Sequence, residues 1–152
     1  MPSEICCAFL YGQLEMLDAI GGRRRGIYEF YRQQLQPLEA EGLLQLPVTP
    51  EECTSNYHLF YILLPDGRTR DALLALLKSQ GIHAVLHYVP LHTSPMGAKF
   101  GYREGILPVT EQLSGRLVRL PFYYEITQEE QTHVVDALQA FVGAAPVAKS
   151  VG

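Results

Sequence analysis

The sequence predicts an α+β fold, with a long N-terminal helix followed by a small ferredoxin-like β-α-β-β-α layer. Two patterns carry this expectation. Apolar residues recur near the helical period across residues 3–38, and beyond residue 55 short aromatic and β-branched runs alternate with amphipathic stretches. Right-handed crossovers and short connections then favour a three-stranded sheet ordered 1-3-2, its third strand antiparallel between the other two and its helices on one face. The other face is left to be covered by a partner.

In the first helix Ile5, Phe9, Met16, Leu17 and Ile20 keep the period, and Ile27, Phe30, Tyr31, Leu35 and Leu38 continue it. Ser3 suits an N-cap with Glu4 in the first turn. Gly21-Gly22 marks the expected weak point, since each glycine costs about 1 kcal/mol relative to alanine. The run "NYHLFYILLP" (56–65) reads as a buried strand stopped by Pro65-Asp66-Gly67. Leu73, Leu74, Leu76 and Leu77 give an amphipathic helix over 69–80, ended by Gly81. "IHAVLHYV" (82–89) reads as a second strand, and a Gly/Pro-rich stretch runs from Pro90 to Pro108. A short helix is expected over 110–116, a third strand over 116–123, and a last helix from Thr127 whose first turn holds Glu129 and Glu130. Leu59, Tyr61, Leu63, Leu73, Leu76, Leu86, Leu117, Leu120, Val135 and Leu138 form the expected core. The domain is expected over 1–143, with 144–152 as a flexible tail.

A chain of 152 residues with 47% hydrophobic and 18% charged residues is one ordinary globular domain. The net charge of −4 argues against a nucleic-acid surface. The basic run Arg23-Arg24-Arg25 has no aromatic residues interleaved and reads as a solvated helix face. No apolar stretch approaches the ~20 residues that span a bilayer, and no signal pattern opens the chain, so a cytoplasmic location and no membrane partner are expected. Cys6, Cys7 and Cys53 read as reduced thiols.

Chemical motifs are scarce. No Gly-rich turn joins a strand to a helix, so no phosphate cradle is readable. No nucleophile elbow, CxxC pair or HExxH helix occurs either. The densest polar segment is "HAVLHYVPLHTSP" (83–95). Zinc is a poor fit there: His83 and His87 are four residues apart, ~13 Å along a strand, and cannot share one ion. No metal is expected.

Four stretches together resemble the C-terminal part of the DegT/StrS family of nucleotide-sugar aminotransferases, which depend on pyridoxal phosphate (PLP). They are "SEICCAFLYGQLEMLDAI", "SNYHLFYILLPDGRTRDALLALLKSQGI", "HAVLHYVPLHTSPMGAKFGY" and "LPVTEQLSGRLVRLPFYYEIT". The resemblance covers about residues 3–142. It is strongest to the dTDP-4-amino-4,6-dideoxygalactose transaminases, which share an "HYxPLHxxPxGxxFG" run. The strand that follows, "RLVRLPFY", is one residue shorter before its tyrosine than in those enzymes. The family's Schiff-base lysine, pyridine-facing aspartate and phosphate-binding residues lie in a large domain that matches no position here.

The resemblance therefore implies the small domain of an enzyme that transfers an amino group to a 4-keto-6-deoxy sugar nucleotide, a step of lipopolysaccharide biosynthesis. No PLP is expected in this chain and no activity from it alone. Whether it is a truncated gene, a free-standing reading frame or a designed piece stays open. By the same resemblance His87, Tyr88 and His92 match the segment at the mouth of the active site, with Asn56 and His58 on a neighbouring strand. Imidazole, phenol and amide groups suit sugar hydroxyls and a diphosphate. The competing reading makes His87 and Tyr88 satisfied strand-end residues of a core. A stand-alone ligand-binding or assembly module is the alternative function. The large apolar groups of the long helix further predict a homodimer through residues 3–38.

Overall fold

The computed structural model describes residues 2–144. The expected tail, 144–152, lies outside the described residues apart from the helical Ala144. Helices α1 (Glu4–Glu15) and α2 (Leu17–Ala40) replace the single expected helix. The break falls at Met16 and not at Gly21-Gly22, which lie inside α2. Met16 donates its amide to the carbonyl of Gln13, a tightened turn that ends α1. Both glycines sit in open space, so they lower helix propensity without forcing a bend. Ser3 does cap α1, its hydroxyl accepting from the Cys6 amide at 3.3 Å.

The sheet is smaller than expected, with two strands in place of a three-stranded 1-3-2 ferredoxin-like layer. Strands β1 (Tyr61–Leu63) and β2 (Leu117–Arg119) pair antiparallel, with Ile62 opposite Val118. Gln45 extends β1 by one isolated bridge to Leu63, and Val85 extends β2 by one to Arg119. Segment 82–89 is therefore not a strand; it touches the sheet at Val85 and leaves it.

The core face of β1 is also the opposite of the one expected. Phe60, Ile62 and Leu64 are buried, while Leu59, Tyr61 and Leu63 are half-buried. Both faces of "LFYILL" are apolar, so alternation cannot choose between them, and a one-residue slip exchanges the two sets. Leu86, expected in the core, is 43% exposed because its segment has left the sheet.

Three helices cover the buried face. Ile27, Tyr31 and Leu35 of α2 meet Leu73 and Leu77 of α3 (Gly67–Ser79) and Val134, Val135 and Leu138 of α6 (Gln128–Ala144). Asp66 caps α3 through the Thr69 amide at 2.8 Å. Thr127 and Glu130 cap α6 reciprocally: the Glu130 amide donates to the threonine hydroxyl at 3.1 Å, and the Thr127 amide to the glutamate at 2.8 Å. Polar groups tie the layers together where the helices meet. Gln131, buried, donates to the Ile27 carbonyl at 3.1 Å, and the Tyr31 hydroxyl to the Pro121 carbonyl at 3.0 Å. Burial raises the Tyr31 hydroxyl pKa, so it stays a donor.

Arg23 corrects the expectation of a wholly solvated basic run. Its guanidinium donates to the carbonyls of Tyr124 (3.1 Å) and Ile126, clamping α2 to the turn before α6.

The Gly/Pro-rich stretch holds more structure than a loop. It forms a 3₁₀ turn (Leu91–Thr93) and α4 (Pro95–Lys99), and the expected short helix follows as α5 (Pro108–Arg116), tied to the turn through His92 and Glu111. Gly97 is required there, since a Cβ would stand 2.7 Å from the His92 carbonyl oxygen and closer still to that of Leu91.

Candidate functional site

Asn56 and His58 precede β1 in irregular chain, where a strand was expected. The backbone between them turns through Tyr57 at φ +49°, a left-handed conformation uncommon for an aromatic residue. The Ser55 hydroxyl accepts the Tyr57 amide at 3.1 Å and holds the turn. His58 Nδ1 meets Asn56 Oδ1 at 3.2 Å. With Nδ1 donating, Nε2 is left as an acceptor on an exposed ring.

His87 and Tyr88 follow the Val85 bridge. Their rings meet edge to face at a centroid distance of 4.6 Å, and Tyr88 is 72% exposed. Both side chains are exposed and neither packs in the core. That is the opposite of satisfied strand-end residues.

His92 behaves differently. It is buried in the 3₁₀ turn, and its Nε2 lies 2.7 Å from Glu111 Oε1. The Glu111 carboxylate also accepts the Gly105 amide at 2.9 and 3.0 Å and the Leu107 amide at 3.4 Å. The hydrogen bond from His92, then that from Gly105, holds its carboxyl below the usual carboxylate range. His92 lines a largely apolar pocket of about 650 Å³ together with Leu91, Met96, Phe100, Tyr102 and Leu107 among others.

The five residues thus form three groups: Asn56 with His58, His87 with Tyr88, and His92 with Glu111. Among the described residues no hydrogen bond joins one group to another. Sequence reasoning missed Glu111. Its signal was an acidic residue in the first turn of a helix opened by Pro108.

Among the described residues no group of three or more His, Cys, Asp or Glu side chains could hold a metal ion. The described residues contain two lysines, Lys78 and Lys99, both exposed. Lys78 lines a pocket of about 550 Å³ with Leu74, Ala75, Ile82, His83 and Leu86, and no carboxylate stands there to face a pyridine nitrogen.

The model of the DegT/DnrJ/EryC1/StrS aminotransferase family matches residues 2–139. A curated relative, the pleiotropic regulatory protein of Geobacillus stearothermophilus, is 36% identical over 139 residues, which are 91% of this chain and 36% of that protein. The structure is similar to that of S. venezuelae DesV in complex with a ketimine intermediate. There the TM-score is 0.80 at 31% identity, over 91% of this chain and 36% of the other. It is also similar to the aminotransferase TlmJ from Streptoalloteichus hindustanus, with a TM-score of 0.77 at 27% identity, over 88% and 35%. The chain spans about a third of the length of these relatives. By the match over nearly its whole described length, the chain belongs to the DegT/DnrJ/EryC1/StrS aminotransferase family.

Proposed function

We propose that this chain is the C-terminal, small-domain part of a PLP-dependent sugar-nucleotide aminotransferase. Its substrate would be a 4-keto-6-deoxy sugar nucleotide of the kind used by dTDP-4-amino-4,6-dideoxygalactose transaminases, in the cytoplasm. The family match over residues 2–139 carries this reading. The exposed rings at 87–88 support it locally.

In this reading His87 and Tyr88 donate and accept at sugar hydroxyls. His58, oriented by Asn56, offers its Nε2 to a hydroxyl or water. His92 shapes the adjoining pocket while its own Nε2 is held by Glu111.

PLP supplies the electron sink for amino transfer in such enzymes. The described residues do not fit it: both lysines are exposed, and neither Lys78 nor its surroundings offers a carboxylate or an anion cradle. The chain alone is therefore inactive in this proposal. Incubation with PLP, borohydride reduction and peptide mass spectrometry should give no stoichiometric lysine label. Full labelling of one lysine, Lys99 above all, would make the chain a cofactor-bearing protein and defeat this part of the reading.

The substrate role is tested by grafting residues 2–144 onto a full-length family enzyme in place of its matching third. His87→Ala in that chimera should raise KM for the sugar nucleotide about tenfold, the scale of one or two lost hydrogen bonds. An unchanged KM sinks the assignment of His87. A stand-alone assembly module is the second reading, favoured by α1, which has no buried residue.

A further inference from the structure

A second polar cavity lies away from His87 and Tyr88, between α2 and the 48–57 segment. Its volume is about 440 Å³. Arg25, Tyr28, Glu29 and Arg32 form one wall, and Thr49, Thr54 and Ser55 contribute hydroxyls to the other. The helical wall follows from spacing. Positions 25, 28, 29 and 32 share one face of α2, and seven residues place the two arginines ~10.5 Å apart along the axis, a gap that two long side chains can close.

We propose that this cavity binds a phosphoryl oxyanion between the guanidinium groups of Arg25 and Arg32, with hydroxyls of the 49–55 segment as additional donors.

Three observations support this. Among the described residues neither arginine has a carboxylate within 4.0 Å; inside the cavity Arg32 meets the Tyr28 hydroxyl, which also meets Thr49 and carries no charge to cancel the guanidinium. Arg32 is held rather than free, because its Nη1 donates to the Pro47 carbonyl at 3.1 Å; a guanidinium fixed in place loses less freedom on binding. The Ser55 hydroxyl accepts the Tyr57 amide, which leaves its own proton to donate, and this bond holds the left-handed turn at Tyr57 on the cavity wall.

Glu29 is the opposing charge, standing between the arginines in sequence and leaving the cavity with a net charge of about +1. It weakens any anion bound there and sets the sign of one test. The planar fork of arginine matches a phosphoryl group bidentately, which makes phosphate the preferred class over a halide.

Inorganic phosphate is the first probe, titrated at low ionic strength by calorimetry and by amide chemical shifts. Shifts are expected at 48–57 and along the 25–32 face. Arg25→Ala should weaken binding about tenfold or more with little change of Tm in phosphate-free buffer, since Arg25 is exposed and no side-chain hydrogen bond of it is seen among the described residues. Glu29→Gln should tighten binding. Glycerol phosphate separates a free phosphate from the end of a larger molecule: tighter binding of the ester assigns the cavity to a phosphorylated metabolite, and equal binding to phosphate itself. Displacement of phosphate by equimolar acetate would overturn the phosphoryl assignment. Unaltered affinity in Arg25→Ala, or shifts confined to His87 and Tyr88, would overturn the site. These readouts do not depend on the sugar-nucleotide role of the 87–88 pair, so either proposal can fail alone.

Discussion

Glu111 accepts from His92 Nε2 and from the amides of Gly105 and Leu107, so one carboxylate joins the 3₁₀ turn, the 100–107 stretch and α5. This arrangement has a pH signature. The folded-state pKa lies below the ordinary value of 4.5, so the stabilisation is fully present above about pH 4.5–5 and is lost as pH falls through the depressed folded value. Glu111→Gln should be less stable than wild type at neutral pH, and the difference should shrink on acidification through the carboxylate range. Denaturant titrations from about pH 3 to pH 7 measure both curves. A constant difference across that range would mean that Glu111 acts by packing alone. The same pair shows what a single residue reveals in sequence. The "HYVPLH" run marks His92 as a polar group in an apolar context, yet its partner is 19 residues downstream. No local pattern announces that pairing.

At the scale of elements, most helices were legible because their signals are local, while the break at Met16 and the short α4 were not. Caps at Ser3 and Thr127, the leucine spacing of α3 and the stop at Gly81 all act within one turn, whereas Asp66, read as part of a strand stop, is the cap of α3. Ile82 donates to the Leu77 carbonyl at 2.9 Å across Gly81 at φ +76°, the geometry that only glycine enters freely. Strands were less legible. The inward face of β1 depends on which of two apolar sets meets α2 and α6, and segment 82–89 has an alternating pattern but a single bridge to hold it. Two truncations separate the readings. Leu77→Ala, at a fully buried position, should cost about 2–5 kcal/mol. Leu86→Ala, at 43% exposure, should cost less than about 1 kcal/mol. A larger loss at Leu86 than at Leu77 would restore a three-stranded sheet with Leu86 on its inner face.

At the scale of the whole molecule α1 is the feature that the packing of the domain does not account for. Its sequence is apolar on nearly every side, and a helix of that kind is ordinarily buried. Yet Ile5, Phe9, Leu10, Tyr11 and Leu14, with Met16 and Leu17 at the junction, are 52–83% exposed. Large side chains carry about 150–250 Å² each, so the set leaves on the order of 800–1,000 Å² of apolar surface in water, close to one partner's share of a standard interface. The break at Met16 does not fold α1 back over its own core, since none of its residues is buried. Pairing of two such helices about a two-fold axis removes both from water, and we propose a homodimer on this surface, within the 3–38 region. The core begins at Ile27, so removing residues 1–15 should leave a cooperatively folding monomer. Light scattering at high micromolar concentration should give twice the chain mass for the intact protein and the chain mass for the shortened one. Phe9→Glu should also give the monomer, because a carboxylate would then be buried unpaired in the interface. A strictly monomeric intact chain would assign the α1 surface to a different protein or domain, and the two-fold pairing would be wrong.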